Sequence, residues 1–370
     1  MIELFRPFID EQEINAVAET LRSGWIGLGP KTAEFERKFA AYIGVDYAIG
    51  VNSCTAALDL ALKLMRITKG DEVMVPTMTF VSTAHVVAYN FATPIFCDVD
   101  KRTMNIDINE IEKKRTSKTK AIVPVHYGGR ACDMDKIKAM TKGLFVIEDA
   151  AHACGGEYKG KKCGSLGDIG CFSFHAVKNL ATGDGGALSV NNRNWAERAK
   201  RLRWLGIDKG TWDRTGLDRS YWWEYLVDEI GLKCHMNDIM AAIGLVQLRK
   251  LEKNNERRRE IARRYTEALK DIDQIATPPE DDENFKSSWH IYYIKTARRD
   301  DLSVWLKERE INTGVHYRPI HTYSCYGNQP SLPVAEKVFQ SILSLPMHPA
   351  LSNKDVDYVI ENIIQFCRKK

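Results

Sequence analysis

The sequence predicts an α/β protein with a large three-layer domain, built around a mostly parallel sheet, and a smaller C-terminal α/β domain. Its 370 residues exceed one ordinary domain, at ~100 to 200 residues each. Between Tyr47 and Leu202, short apolar runs alternate with helical patterns, which is typical of stacked strand-helix-strand units. From Met236 a long helical pattern leads into further strand and helix patterns. We therefore predict a large domain at residues 1–245 and a small domain at 246–370, joined by a long helix.

The predicted strands of the large domain are short apolar runs bounded by polar or turn residues, as expected for a buried parallel sheet. The segment TAALDLALKLMR, which begins at Thr55, has the spacing of an amphipathic helix. The predicted strands are Tyr47 to Val51, Glu72 to Val75, Thr93 to Cys97, Ala121 to Val125, Leu144 to Glu148, Gly170 to Phe174 and Ala187 to Val190.

A long connection follows Trp204, where the sequence is dense in Trp, Tyr, Arg and Asp and has no clean period. Connections of ~25 residues are unusual inside a compact domain and are often functional or reach a neighbouring subunit; a packed surface excursion is the alternative. In the C-terminal part we predict strands at His290 to Lys295 and Thr313 to His316, and helices at Leu302 to Glu310 and Asp355 to Phe366.

Composition and charge exclude several classes of protein. With 44% hydrophobic and 28% charged residues, the chain has the composition of an ordinary globular protein. A formal net charge of +4 is too small to indicate a general nucleic-acid or membrane-surface binder. The nine cysteines contain no C-x-x-C pair and no zinc-ligand spacing, so we expect reduced thiols and no metal site.

The sequence contains no stretch typical of export or of membrane insertion. The most apolar stretch, Val73 to Phe96, is interrupted by Pro76, His85 and Asn90 and fails as a membrane span of ~20 apolar residues. The start, MIELFRPFIDEQE, carries acidic residues where a secretory signal would have a basic stretch followed by an apolar one. We therefore expect a cytoplasmic protein.

Three segments each suggest part of a site for a phosphate-bearing, pyridine-type cofactor. The first runs from Asn52 to Ala57, where a predicted strand meets the amphipathic helix. Free backbone N–H groups at a helix N-terminus, together with the hydroxyl groups of Ser53 and Thr55, form an anion site. A serine here is also a common helix N-cap, which is the structural alternative.

The second segment, Glu148 to His152, directly follows a predicted strand and so lies at the carboxyl edge of the sheet, where ligands bind in open α/β folds. A partly desolvated carboxylate there can keep a pyridine nitrogen protonated, which makes the ring an electron sink. Asp149 is the candidate for this role. Its alternative role is to cap the next helix.

The third segment, Ser173 to Asn179, is followed by the glycine-rich run Thr182 to Gly186. A lysine on a turn after a buried strand, beside glycines that let the backbone approach a ligand, suits Schiff-base chemistry. Lys178 occupies that position, with a solvated surface lysine as the alternative. The three segments together favour the cofactor site.

Longer motifs occur in a fixed order along nearly the whole chain: SGWIGLGP, SCTAALDLAL, PTMTFVSTAH, PVHYGG, IEDAAHA, GSLGDIGCFSFH, KNLATGDGGAL, MNDIMAAIGLVQL and HYRPIH. In these motifs the sequence resembles the DegT/DnrJ/StrS family of sugar aminotransferases. The family consists of pyridoxal-phosphate enzymes with the aspartate-aminotransferase fold, also called fold type I. The resemblance therefore implies this fold and pyridoxal 5′-phosphate as the cofactor.

The resemblance also implies roles for individual residues. Lys178 would form the Schiff base and act as the acid and base, and Asp149 would pair with the pyridine nitrogen. The implied cofactor-binding residues are Ser53, Cys54, Thr55, Phe80, Asp149, His152, Ser173, Lys178 and Lys233. The implied substrate-binding residues are Trp25, His175, Tyr317 and Arg318.

One motif departs from the family pattern. Where many members have Gly-x-Asn-x-Arg and use it to reach the phosphate in a neighbouring subunit, this sequence has Gly231 to His235. An ammonium group is at least as good a phosphate partner as an amide, so Lys233 is implied to act across a homodimer with shared sites. His235 in place of Arg has no assigned role, and a polar structural residue is one interpretation.

The implied reaction moves an amino group from L-glutamate to a nucleotide-linked keto-sugar, with a 4-keto-6-deoxy sugar preferred by analogy, in amino-sugar or surface-polysaccharide biosynthesis. Relatives that aminate a cyclitol or another small ketone leave a second acceptor class open. A pyridoxal-phosphate-dependent dehydratase and a non-catalytic regulator are alternatives of a different class. The intact Lys178 favours transamination, because the family's dehydratases have histidine at this position.

Overall fold

The computed structural model describes residues 1–208 and 224–369. Twelve strands are found in this part of the chain, and seven of them form one large sheet. The strands are β1 (Tyr47–Val51), β2 (Glu72–Pro76), β3 (Thr93–Cys97), β4 (Thr119–Ile122), β5 (Phe145–Asp149), β6 (Glu157–Tyr158), β7 (Lys161–Lys162), β8 (Ile169–Ser173), β9 (Gly186–Val190), β10 (Phe285–Lys286), β11 (Tyr292–Lys295) and β12 (Ile342–Leu345).

The large sheet has the spatial order β1-β9-β8-β5-β4-β2-β3. β9 is antiparallel to both of its neighbours, while the other pairs are parallel. All seven strands predicted for the large domain are found, with boundaries shifted by a few residues at most. This arrangement confirms the predicted α/β class and the mostly parallel sheet.

Helices cover both faces of the large sheet and continue into the C-terminal part. They are α1 (Glu11–Arg22), α2 (Pro30–Ile43), α3 (Cys54–Leu64), α4 (Ser82–Tyr89), α5 (Ile108–Lys114), α6 (Met134–Met140), α7 (Arg193–Leu202), α8 (Asp238–Leu269), α9 (Arg299–Lys307), α10 (Pro333–Ser341) and α11 (Asn353–Arg368). None of these helices combines the length and apolar character needed to cross a membrane.

The side chains of the central strands alternate between two buried clusters, as the period of a strand requires. Val73 and Val75 of β2 belong to the cluster that includes α3, α4 and α7, whereas Met74 belongs to the cluster on the opposite face with α2 and α6. Both faces are therefore covered, which gives the predicted three layers.

The long helix α8 links the large sheet to the C-terminal elements. It begins at the N-cap Asn237, and its first half packs against α1 and α2. Near its end, Ile261, Tyr265 and Leu269 enter a separate buried cluster that includes Leu302 of α9 and residues of α11. The division at residue 245 stays a prediction.

The C-terminal sheet differs from the prediction in one strand. The strand predicted at His290 to Lys295 is found as β11, but its antiparallel partner is β12. Of the segment Thr313 to His316, only Gly314 pairs, with Ser344 of β12. The predicted strand is wrong because the chain stops pairing with β12 after Gly314. His316, two residues later, lines a cavity at the edge of the large sheet.

Candidate active site

A cavity of about 400 Å³ opens at the carboxyl ends of β1, β5 and β8. It lies where open α/β sheets bind their ligands. Segments that are far apart along the chain meet here, including the start of α3 and the loops that follow β5 and β8. The cavity is lined by these residues from the sequence prediction: Ser53, Cys54, Thr55, Phe80, Asp149, His152, Ser173, His175, Lys178 and Tyr317.

The N-terminus of α3 forms one wall of the cavity. Ser53 is the N-cap, and its hydroxyl oxygen accepts a hydrogen bond from Ala56 N at 3.1 Å. The backbone N–H groups of Cys54 and Thr55 belong to the first turn, where a helix offers no acceptor, so this end of α3 attracts an anion. β9 packs directly on this turn, since a Cβ on Gly186 would lie 2.7 Å from Cys54 N.

Asp149 ends β5 and is 4% exposed. Its Oδ2 accepts a hydrogen bond from the Thr83 hydroxyl at 2.8 Å, and its Oδ1 accepts one from Ala151 N at 3.1 Å. Burial raises the pKa of this carboxyl above its usual value, although the two hydrogen bonds and the Lys178 amine oppose the shift. The carboxylate is thus held rigidly and poorly solvated.

The neighbouring carboxylate, Glu148, is fully buried and has a structural role. Its oxygens accept hydrogen bonds from the backbone N–H groups of Gly164, Leu166 and Gly167 at 2.7, 2.6 and 2.5 Å. His126 Nε2 lies 2.8 Å from Oε2, the oxygen that also accepts from Gly164 N. Successive residues of a strand face opposite sides of the sheet, so Glu148 anchors a loop while Asp149 enters the cavity.

Lys178 lies on the turn after β8, where its backbone N–H donates to His175 O at 2.8 Å. Its Nζ lies 3.3 Å from His290 Nε2. Burial lowers the pKa of Lys178 to about 8, and the nearby Asp149 carboxylate and Cys54 thiol oppose this shift. Most of this amine is therefore still protonated near neutral pH, but its neutral fraction is far larger than that of an ordinary lysine, which suits an acid-base or nucleophilic lysine.

His152 and Tyr317 form a second hydrogen-bonded pair in the cavity. Gly128 N donates to His152 Nδ1 at 3.4 Å, so the proton of the neutral ring resides on Nε2 and is donated to the Tyr317 hydroxyl oxygen at 3.1 Å. Burial lowers the pKa of His152 well below its ordinary value. The two rings are nearly parallel, at 20° and 5.9 Å.

The remaining predicted residues in the cavity lie near its mouth and its floor. Phe80 is 58% exposed, and its ring lies 6.3 Å from that of Tyr317. Ser173 is buried at the end of β8, and its hydroxyl oxygen accepts a hydrogen bond from His175 N at 3.4 Å. His175 itself is exposed. Aromatic surface is thus available at the mouth and a hydroxyl group at the floor.

Three predicted residues lie outside the lining of this chain's cavity. Trp25 is in the loop before α2, where its Nε1 donates to Leu28 O at 3.2 Å. Arg318 is exposed and donates through Nε to Thr322 Oγ1 at 3.0 Å. Lys233 is exposed and lies over the Trp204 ring, with Nζ 4.9 Å from the ring centroid.

Sequence reasoning missed three residues with direct roles in the geometry: Thr83, His290 and His316. Thr83 bonds Asp149, His290 contacts Lys178, and His316 lines the cavity. Thr83 lies in the quoted motif PTMTFVSTAH, which gave a signal for it. A lone histidine such as His290 in an apolar run carried no signal of its own.

These residues fit pyridoxal phosphate. The cavity combines a desolvated amine at Lys178, a buried carboxylate at Asp149 and the N-terminus of α3, which suit an aldehyde, a pyridine nitrogen and a phosphate respectively. Among the described residues, no group of three or more His, Cys, Asp or Glu side chains could hold a metal ion. The fold and this cavity define a pyridoxal-phosphate-dependent enzyme of fold type I.

Comparison with known proteins identifies the family. The model of the DegT/DnrJ/EryC1/StrS aminotransferase family matches residues 7–364. The spore coat polysaccharide biosynthesis protein SpsC of Bacillus subtilis is 43% identical over 96% of this chain and 95% of its own length. The dTDP-4-dehydro-2,3,6-trideoxy-D-glucose 4-aminotransferase of Saccharopolyspora spinosa is 38% identical over 98% of this chain and 95% of its own.

Solved structures agree with this result. The aminotransferase TlmJ from Streptoalloteichus hindustanus has a TM-score of 0.92 and 39% identity, covering 98% of both chains. Spr1654 from Streptococcus pneumoniae, solved in its PLP-form, has a TM-score of 0.92 and 33% identity, covering 100% of this chain and 99% of its own. The chain belongs to the DegT/DnrJ/EryC1/StrS aminotransferase family and is a pyridoxal-phosphate-dependent aminotransferase. The resemblance drawn from the sequence motifs is confirmed.

Proposed function

We propose that this enzyme transfers the amino group of L-glutamate to a nucleotide-linked keto-sugar, with a 4-keto-6-deoxy sugar as the preferred acceptor, in the biosynthesis of an amino sugar for a surface polysaccharide. The meeting of Lys178, Asp149 and the α3 N-terminus in one cavity carries the aminotransferase part of the proposal. The relatives SpsC and the dTDP-sugar 4-aminotransferase support the sugar and polysaccharide parts.

The geometry of the cavity supports the roles that we propose for its residues. When bound, pyridoxal phosphate supplies an electron sink for the carbon that loses its proton. Asp149 keeps the proton on the ring nitrogen, because a carboxylate fixed by Thr83 and Ala151 provides a nearby negative charge. The N-terminus of α3 and the Ser173 hydroxyl would hold the phosphate.

Lys178 is the residue that would hold the cofactor's aldehyde carbon, and its amine would carry the proton at the reacting carbon. One amine can do both because it lies in the same cavity throughout, and its lowered pKa of about 8 gives it a larger neutral fraction to act as a base than an ordinary lysine has. Donor and acceptor then use the same cavity in turn, which is a ping-pong sequence.

Aromatic residues at the mouth provide a surface for the acceptor. Phe80 and Tyr317 flank the opening, and Tyr317 is fixed by its hydrogen bond to His152. We assign sugar or base stacking to this surface. We propose that Trp25 and Arg318, which lie outside this chain's cavity lining, contact the part of the acceptor that extends beyond the cavity.

We further propose a homodimer in which Lys233 completes the phosphate site of the partner. The exposed Lys233 lies outside its own chain's cavity, and nearby apolar side chains are also exposed, with Val227 at 55% and Ile230 at 95%. Aromatic and apolar surface of this kind is typical of subunit interfaces. Trp212, Trp222 and Trp223, which the sequence also suggests for this interface, lie outside the described residues.

A labelling experiment tests the proposed function. The enzyme is incubated with ¹⁵N-L-glutamate together with one acceptor at a time. The acceptors are dTDP-, UDP- and GDP-linked 4-keto-6-deoxy sugars, a 3-keto sugar and a cyclitol ketone. We expect 2-oxoglutarate and a ¹⁵N-labelled nucleotide amino-sugar by mass spectrometry. Lys178→Ala should give neither product, while Lys118→Ala, which changes an exposed lysine outside the cavity, should behave as wild type.

Each other outcome identifies a different function. Label that enters only the cyclitol would replace the proposed acceptor. Loss of water from a sugar without incorporation of nitrogen would indicate a dehydratase. Binding of pyridoxal phosphate without release of 2-oxoglutarate from glutamate would indicate a non-catalytic protein and would overturn the proposal.

A further inference from the structure

The Lys178 amine lies within hydrogen-bond reach of a histidine from the C-terminal part of the chain. His290 Nε2 lies 3.3 Å from Lys178 Nζ, within hydrogen-bond reach. His290 is 2% exposed and directly precedes the residues that lead into β11. Its other ring nitrogen, Nδ1, is buried and has no hydrogen-bond partner among the described residues.

The ring of His290 is held on two sides. Phe5, from the N-terminal segment, stacks on it at 5.2 Å with an interplanar angle of 15°. His152 lies on the cavity side, with 4.7 Å between the ring centroids. The ring therefore has little freedom to turn away from Lys178.

The hydrogen-bonding capacity of the two groups fixes the direction of the bond. An ammonium group only donates, so His290 Nε2 must accept from Lys178 and the ring proton must reside on Nδ1. Because Nδ1 has no partner, a proton taken up at Nε2 has no onward path through this ring. His290 can hold the amine but cannot relay its proton.

We propose that His290 is a positioning residue that accepts a hydrogen bond from the free Lys178 amine and keeps it at the reacting side of the cavity. This inference rests on the proposed role of Lys178. Whenever the Lys178 amine is free, the bond to His290 would direct it and reduce the number of side-chain rotamers it samples. The long, flexible lysine side chain would otherwise have few constraints.

The charges around this pair favour a neutral histidine. Burial and the nearby Lys178 lower the pKa of His290 well below its ordinary value, so the ring keeps its acceptor. A hydrogen bond from the ammonium to this acceptor stabilises the charged form of Lys178 and partly offsets the effect of burial. The other titratable groups that face the pair are Asp149, Cys54, His152, His316 and Arg258.

The test measures the protonation of Lys178 in the cofactor-free full-length chain. Competitive labelling with acetic anhydride across a pH series, read by peptide mass spectrometry, gives the midpoint at which Lys178 becomes reactive. His290→Phe keeps a ring but removes the acceptor, and we expect the midpoint to fall by about one pH unit. His290→Gln places an amide oxygen near the position of Nε2, and its midpoint should stay close to that of the wild type.

Further variants separate positioning from a general structural effect. His348 is also buried but lies outside the cavity lining, so His348→Phe should leave the midpoint unchanged. In the loaded enzyme, His290→Phe should lower kcat about tenfold with little change in KM for glutamate, and His290→Gln should recover most of kcat. If His290→Phe does not fold, His290→Leu provides the same loss of the acceptor.

Two results would overturn the inference. One is the same Lys178 midpoint in the wild type, His290→Gln and His290→Phe. The other is a shift of the midpoint in His348→Phe as large as the shift in His290→Phe. Borohydride reduction of the loaded wild type is run alongside. Attachment of the cofactor to another lysine would refute the proposed role of Lys178, whereas attachment to Lys178 with an unchanged midpoint would refute only the role of His290.

Discussion

The Thr83 hydroxyl donates a hydrogen bond to Asp149 Oδ2 at 2.8 Å, and both side chains are buried. The two residues lie on α4 and at the end of β5, so the bond joins separate elements of the large domain. It leaves Oδ1 to accept from Ala151 N. Together the two donors set the direction in which the carboxylate meets a ring nitrogen in the cavity.

Thr83→Val should reduce activity without unfolding the protein. Valine keeps the shape of threonine but removes the donor to Asp149, so the carboxylate loses one restraint, and we expect kcat to fall about three- to tenfold. Steady-state kinetics and circular dichroism test this. Thr266→Val is the matched control, because Thr266 is also buried and bonds Tyr292 away from the cavity. Equal losses in both variants would show a general effect of the substitution.

Asp149→Asn should keep the cofactor but slow the removal of the proton at the reacting carbon severely. A neutral amide cannot hold the charge of a protonated ring nitrogen, and each ~1.4 kcal/mol lost from the transition state lowers the rate tenfold. Single-turnover measurements with L-glutamate test this prediction. Turnover near that of the wild type would show that another group protonates the ring.

The same Asp149→Asn change should stabilise the cofactor-free chain at neutral pH. Burial raises the folded-state pKa of Asp149 above its unfolded value near 3.9, so the folded state binds this proton more tightly. Stability therefore falls as pH rises through the interval between the two values, and the loss persists above it. The asparagine variant escapes this loss.

Calorimetry at two pH values tests the sign of this effect. We expect the thermal midpoint of the variant to exceed that of the wild type by about 2 °C at pH 7.5 and by less at pH 4.5. In the variant, the side-chain amide at position 149 can donate a hydrogen bond to Thr83 Oγ1. The Thr83 hydroxyl can then donate to Thr79 Oγ1, which lies 2.9 Å away, so both hydroxyl groups keep a partner. A lower midpoint than wild type at pH 7.5 would contradict the prediction.

Much of the fold could be predicted because local patterns encode it. The seven strands of the large sheet are apolar runs between turn residues, and all seven were predicted. β12 was missed because Ile342–Leu345 directly follows α10 and continues its apolar pattern. A run of four buried residues is too short to show a period, so it cannot be told from the end of a helix by its pattern alone.

The residues of the site could be predicted only where they lie in a recognisable sequence motif. Lys178, Asp149 and the start of α3 lie at strand ends, and such positions carry a physical signal. His290 is 112 positions from Lys178, and only the folding of the C-terminal part brings its ring to the amine. The positions of Trp25 and Arg318 outside the cavity likewise depend on tertiary contacts that no local pattern encodes.

A mixture of two inactive variants should regain activity if Lys233 acts across a dimer. Lys178→Ala and Lys233→Glu chains, mixed equally and allowed to exchange, form heterodimers with one site free of both changes. Half of the dimers are mixed, so about one quarter of the wild-type activity should return. Lys118→Glu, at an exposed position, should be active alone.

Exchange must be confirmed independently, for example by mass spectrometry of differently tagged chains. No recovered activity despite exchange would place Lys233 in the site of its own chain or outside both sites. A Lys233→Glu chain with full activity of its own would show that Lys233 is only an exposed charge.

The identity of the lysine bonded to the cofactor tests the central claim most directly. The loaded enzyme is reduced with borohydride, digested, and its peptides are mapped by mass spectrometry. We predict that the reduced cofactor is attached to Lys178 and that Lys178→Ala binds pyridoxal phosphate without any covalent attachment. Two results would contradict the assignment of this cavity as the active site. One is attachment of the reduced cofactor to another lysine in the wild type, and the other is Lys178→Ala that retains activity with the cofactor attached to another lysine.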